Sequence, residues 1–190
     1  MKRTAMKAVV IGGSAGALQT LSTILRDLPA SYGLPIFITV HVPPDRSSVL
    51  AELLQSKCQI RVREAQDKEP ISAGTAYIAP PDYHLLVEKG GTLALSSDEP
   101  VFYSRPAIDV LFESAADAYG SAVVGVVLSG ASSDGAKGLK SIERAGGVAM
   151  VEDPGSAYAS TMPKAALDIC DEAEICTPDQ LAAYLKSLRA

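Results

Sequence analysis

The 190-residue chain carries three cysteines, two histidines and no tryptophan. It also has no uninterrupted apolar run of the roughly 18 residues that a membrane-crossing helix needs. Each scarcity excludes something. Cys58, Cys170 and Cys176 cannot all pair within one chain, and none stands in a C-x-x-C arrangement, so a disulfide framework or a zinc or redox site of that kind is not expected. A reducing cytoplasm is the simpler setting for such cysteine usage. Basic residues number 17 against 22 acidic ones, for a formal charge of -5, and no run of Lys and Arg forms a stripe that would suit nucleic acid. Lys2 and Arg3 precede an apolar stretch, Ala8 to Leu18, that superficially resembles a signal peptide. Lys7, Gly12, Gly13 and Gly16 interrupt it, so a strand followed by a glycine turn explains it better.

What is present reads as alternating strands and helices. Lys7 to Ile11 is an apolar, β-branched run closed by glycines, and Ala17 to Leu28 has helical spacing at Leu18, Leu21, Leu25 and Leu28. Pro35 to Val40 repeats the strand, Pro43-Pro44 breaks it, and Arg46 to Lys57 repeats the helix. Gln59 to Arg63 alternates as a further strand. Thr75 to Leu95, with turns at Pro80-Pro81-Asp82 and Lys89-Gly90-Gly91, reads as an antiparallel β-meander. A helix entered at Pro106, a strong strand from Ala122 to Leu128 and a helix from Ala136 to Arg144 follow. A strand at Val148 to Val151 and helices at Pro163 to Leu167 and Pro178 to Leu188 complete the chain. The expected fold is a three-layer αβα, doubly wound, mostly parallel sheet with the meander inserted. With no internal repeat and no linker, residues 1–190 are expected to form a single domain.

Ligands of open α/β sheets gather at the C-terminal strand ends. Three chemically complementary groups are expected there: Ser14 after the first strand, His41 after the second and Asp134 after the strand ending at Leu128. Gly12-Gly13-Ser14-Ala15-Gly16 fits G-x-S-x-G, a turn that exposes a serine hydroxyl. A serine needs a base to become a nucleophile, and a histidine base needs a carboxylate to hold its tautomer. Each residue has a plainer explanation: Ser14 as a helix N-cap or part of a phosphate-binding turn, His41 as a core histidine, Asp134 as an N-cap. A dinucleotide site fits poorly, because these glycines do not make G-x-G-x-x-G and the second strand ends in Val40-His41, not in an acid. His84 alternates with apolar residues and reads as surface or structural. The order Ser, His, Asp disfavours the α/β-hydrolase fold.

Val9-Val10-Ile11-Gly12-Gly13-Ser14-Ala15-Gly16, Val40-His41-Val42-Pro43-Pro44 and Leu128-Ser129-Gly130-Ala131-Ser132-Ser133-Asp134-Gly135-Ala136 resemble the nucleophile, histidine and aspartate segments of the chemotaxis protein-glutamate methylesterase (CheB-type) catalytic domain. Tyr77 to His84, Ser104 to Phe112 and Met162 to Ala165 also look like blocks of that family. The resemblance runs from Val9 to about Leu167. It implies hydrolysis of glutamyl γ-methyl esters on chemoreceptor-like proteins in chemotaxis-type signalling and, in many members, deamidation of glutamine. Ser14 is then the nucleophile, His41 the base and Asp134 the residue that orients it, with no metal or organic cofactor. His41 is expected to face Ser14 through Nε2 and Asp134 through its other ring nitrogen.

The chain departs from the family pattern where Ala15 and then Gly16-Ala17 follow the nucleophile, in place of Thr or Ser and a Gly-Gly pair. It departs again where Ala131 to Ser133 replace Met-Gly-Asn in the aspartate loop. Ala15 and Ala131 are the expected backbone donors to an oxyanion. Substrate-gripping residues are not legible. The family's receiver domain is absent from the sequence, which points to control by a separate receiver or signalling protein. The alternative from another functional class is a non-catalytic signalling module that binds a receptor or partner with the same fold.

Overall fold

The computed structural model describes residues 5–41 and 49–188. Lys2 and Arg3, the Pro43-Pro44 break and the helix start at Arg46 therefore lie outside the described residues. The main sheet has seven parallel strands in the order β3-β4-β2-β1-β7-β8-β9. They are β1 (Ala8–Gly13), β2 (Ile36–Val40), β3 (Arg61–Glu64), β4 (Thr75–Ile78), β7 (Val123–Val127), β8 (Val148–Glu152) and β9 (Glu174–Cys176). β1, β4 and β7 are buried at every position, the signature of strands covered on both faces.

Side-chain alternation along the strands builds two cores. Val9, Ile11, Ile36 and Ile38 pack with α1 (Ala17–Arg26), α2 (Leu50–Gln55) and α6 (Pro178–Ser187). Val10, Phe37, Val127 and Val151 pack with α3 (Ile108–Tyr119), α4 (Ala136–Arg144) and α5 (Thr161–Leu167). α6 is the one helix closed by a capping box, Thr177 with Gln180, among those whose caps are described.

The sequence reading and the structure differ in the segment from Thr75 to Leu95. Only β5 (His84–Val87) and β6 (Leu93–Ser96) form an antiparallel pair. Thr75–Ile78 instead enters the parallel sheet between β2 and β3, where both of its faces are buried. β9, three residues long, carries too little pattern to be recognised as a strand from sequence.

The chain leaves β1 in one direction to β2 and returns to β1's other side as β7, so β1 is where the winding reverses. Register sets the edges level: Gly13 pairs with Val40 and Gly12 with Val127. Ser14, His41 and the loop after Leu128 consequently emerge at one end of three adjacent strands.

Candidate active site

The turn carrying Ser14 is dictated by close packing. Gly16 sits at φ 86° as the residue before α1, a left-handed conformation that L side chains rarely adopt. A Cβ there would collide with the Tyr158 side chain and approach Ser129 Oγ to 2.9 Å. Ser14 N–H donates to Ser129 O at 2.9 Å, and Ser14 O accepts from Ala17 N–H at 3.1 Å, so the backbone of the nucleophile candidate is pinned. Its side chain is half-buried and its hydroxyl bonds to no described residue. The N–H groups of Ala15 and Ala131 likewise donate to no described residue, and both residues are exposed. They are free to meet an incoming oxygen, whereas the Ser14 N–H is already engaged.

Beneath this turn lies a network that sequence reading missed. Ser129, fully buried, donates from Oγ to Ala15 O at 2.7 Å and accepts from Ala159 N–H at 2.8 Å. Its own N–H donates to Glu152 Oε2 at 2.8 Å, while Thr20 of α1 donates to Glu152 Oε1 at 2.9 Å. The buried carboxylate of Glu152 therefore ties β8, α1 and the β7–α4 loop together under Ser14. The chain separations of 23 and 132 residues put these contacts beyond any local pattern.

His41 N–H donates to Gly13 O at 3.2 Å, extending the β1–β2 ladder one step and placing the His41 backbone beside the Ser14 turn. The ring lies 14% exposed, with Nε2 at 2.7 Å from Asp134 Oδ2. The orientation is opposite to the sequence expectation: Nε2 faces the carboxylate, and Nδ1 is the nitrogen left for a reacting group.

Asp134 has no exposed surface. Its Oδ2 also accepts from Ile108 N–H at 2.7 Å and its Oδ1 from Asp109 N–H at 2.9 Å. Those donors are the first N–H groups of α3, which has no side-chain cap of its own, so Asp134 serves as its remote anion. The carboxylate is thus held as an acceptor and cannot turn away from His41 without orphaning two buried donors.

His84 is buried rather than at the surface: Nδ1 accepts from Ala107 N–H at 3.1 Å and Nε2 lies 3.0 Å from Glu99 O. It braces the loop leading into α3. Cys58, Cys170 and Cys176 are not nucleophile candidates, because burial raises all three thiols, Cys170 to about 11. Among the described residues, no group of three or more His, Cys, Asp and Glu is arranged to hold a metal ion. No helix among them is long and apolar enough to cross a membrane.

The strand ends bring together a carboxylate-oriented imidazole, a half-buried serine whose hydroxyl bonds to no described residue, and two unengaged N–H groups. Chemically, this arrangement suits acyl transfer to a hydroxyl nucleophile. Comparison with known proteins leads to the same chemistry. The family model described as CheB methylesterase matches residues 9–185. A protein of Leptospira interrogans serogroup Icterohaemorrhagiae serovar copenhageni, named "Putative protein-glutamate methylesterase/protein-glutamine glutaminase", is 46% identical over 162 residues, covering 85% of this chain and 84% of that protein. The protein-glutamate methylesterase/protein-glutamine glutaminase of Trichodesmium erythraeum is 43% identical over 161 residues, 83% of this chain but 46% of that longer protein. The crystal structure of the Thermotoga maritima CheB methylesterase catalytic domain superposes with a TM-score of 0.90 at 32% identity, covering 96% of this chain and 98% of that one.

Proposed function

The chain belongs to the CheB methylesterase family, and from that premise we propose that it hydrolyses glutamyl γ-methyl esters on a chemoreceptor-like protein, with Ser14 as nucleophile, His41 as base and Asp134 as its orienting carboxylate. The observation that carries this reading is the 2.7 Å contact between His41 Nε2 and Asp134 Oδ2 beside the Ser14 turn. A proton on Nε2 donated to Asp134 leaves the Nδ1 lone pair to accept the Ser14 proton.

As Ser14 Oγ bonds to the ester carbonyl carbon, its proton passes to His41 Nδ1 and the carbonyl oxygen becomes an oxyanion. The N–H groups of Ala15 and Ala131 are the donors proposed for that oxyanion. Collapse of the intermediate breaks the bond to methoxide, which leaves as methanol with the proton from His41. Water then attacks the acyl-enzyme and gives a proton to His41, which passes it to Ser14 Oγ as the acyl bond breaks, freeing Ser14 and the glutamate side chain, which ionises. With a glutamine side chain the same sequence releases ammonia, the glutaminase activity named for the relatives. No metal or organic cofactor enters these steps. The setting proposed is the cytoplasmic side of a receptor array, with this protein as the enzyme and the methylated receptor as its partner.

The test is methanol release from a methylated receptor fragment. Wild-type protein turns over, while Ser14→Ala and His41→Ala each lose activity by a factor on the order of a thousand or more. Undiminished turnover in Ser14→Ala overturns the assignment, and a wild-type rate equal to that of His41→Ala, with tight receptor binding, favours a binding module instead.

A further inference from the structure

We propose that Asp109 is a positioning residue of this site, whose carboxylate clamps the first turn of α4, and with it the loop presenting Asp134, while setting a second negative charge behind Asp134. The inference rests on the triad reading above. Asp109 Oδ1 accepts from Gly135 N–H at 2.9 Å and from Gly138 N–H at 2.7 Å, while the Asp109 N–H donates to Asp134. The two carboxylates are exchanged between helices: Asp134, just ahead of α4, holds the N-terminus of α3, and Asp109, in the first turn of α3, holds the N-terminus of α4. Gly138 makes the exchange possible, since a Cβ there would come within 3.0 Å of Asp109 Cα and 2.5 Å of Phe112 Cβ.

A simple helix cap would not require a charge. Asparagine offers the same Oδ1 to both N–H groups and is as good a cap as aspartate. Asp109 is 4% exposed and, among the described residues, pairs with no lysine or arginine. The charges acting on it are Asp134 on the β7–α4 loop and Glu113 on α3 itself, with His41 beyond Asp134, while Lys137 on α4 has its ammonium over the Phe102 ring, 5.6 Å from the centroid. Burial, reinforced by the charges of Asp134 and Glu113, raises the Asp109 carboxyl to about 6 against the two backbone donors. A folded pKa above the unfolded value means that ionised Asp109 destabilises the fold. That penalty is fully present above about pH 6 and fades as pH falls toward 3.8, the ordinary value for an aspartate carboxyl. The geometry that ties this carboxylate to the site is its clamp on Gly135 N–H, the residue directly after Asp134, together with its own N–H bond to Asp134 Oδ1. Here its charge helps Asp134 hold the imidazolium that forms on His41.

Asp109→Asn separates the roles. The expected result at pH 8 is a melting temperature equal to or above wild type, together with a kcat about tenfold lower, KM within about twofold, and an acid limb of kcat/KM displaced to lower pH. Wild-type kcat and an unmoved pH profile in Asp109→Asn would reduce Asp109 to a cap and overturn the proposal. NMR of the wild-type protein gives an answer that needs neither catalysis nor a variant. The Gly135 and Gly138 amide protons are expected to shift together in one titration whose midpoint lies above the ordinary carboxyl value, and separate midpoints for the two amides would refute a shared carboxylate clamp. Loss of the triad reading would show separately, as undiminished methanol release by Ser14→Ala.

Discussion

The aspartate side of the site and the serine side are built on opposite terms. Asp134 is fully buried, and its oxygens take His41, Ile108 N–H and Asp109 N–H. Ser14 is half-buried, and only its backbone is held, through Ser129 O and Ala17 N–H. The His41 imidazole and the Asp134 carboxylate are held together before any substrate arrives, whereas the Ser14 hydroxyl, the proposed nucleophile, is left for the substrate and His41 Nδ1 to engage. Hydrogen bonds of free enzymes commonly tighten only in the reacting complex, which fits this division.

Substitutions that separate rate from stability probe this contrast, and the largest effect belongs to the serine. Ser14→Ala removes a hydroxyl bound to no described residue, so activity is lost on the order of a thousandfold or more while the melting temperature stays at its wild-type value. Asp134→Ala costs activity on a similar scale, and it also orphans two buried N–H groups, for a loss of about 2–4 kcal/mol in denaturant unfolding. A stability loss in Ser14→Ala equal to that in Asp134→Ala would erase the distinction between the two sides. Ser129→Ala gives the smallest effect on activity, a several-fold fall in kcat alongside a stability loss of about 1–2 kcal/mol, because it loosens the Ala15 carbonyl and the Ala159 N–H without touching a reacting atom. Its effect on kcat, read against that of Thr20→Val at the far end of the Glu152 network, distinguishes positioning of the turn from general destabilisation.

What could be read from the sequence was what local punctuation marks. Glycines after β1 and after Leu128 announce strand ends, and continuous apolar runs announce strands buried on two faces, so a mostly parallel sheet and the positions of Ser14, His41 and Asp134 along it were legible. Thr75–Ile78 was misplaced into the antiparallel segment because four residues that suit a hairpin suit a central parallel strand equally well. Only its neighbours β2 and β3 decide the matter. The ring orientation of His41 and the carboxylate exchange between Asp109 and Asp134 depend on contacts 93 and 25 residues apart, which no spacing rule reports. For Asp109 there was one local signal, an acid in the first turn of a helix without a cap residue of its own.

The most direct test of the central claim needs no natural substrate. A fluorophosphonate probe, mapped by peptide mass spectrometry, should label Ser14 stoichiometrically in the wild-type protein and fail to do so in His41→Ala, because the hydroxyl is reactive only with that base beside it. Labelling of another residue, or equal labelling of Ser14 with and without His41, would contradict the account.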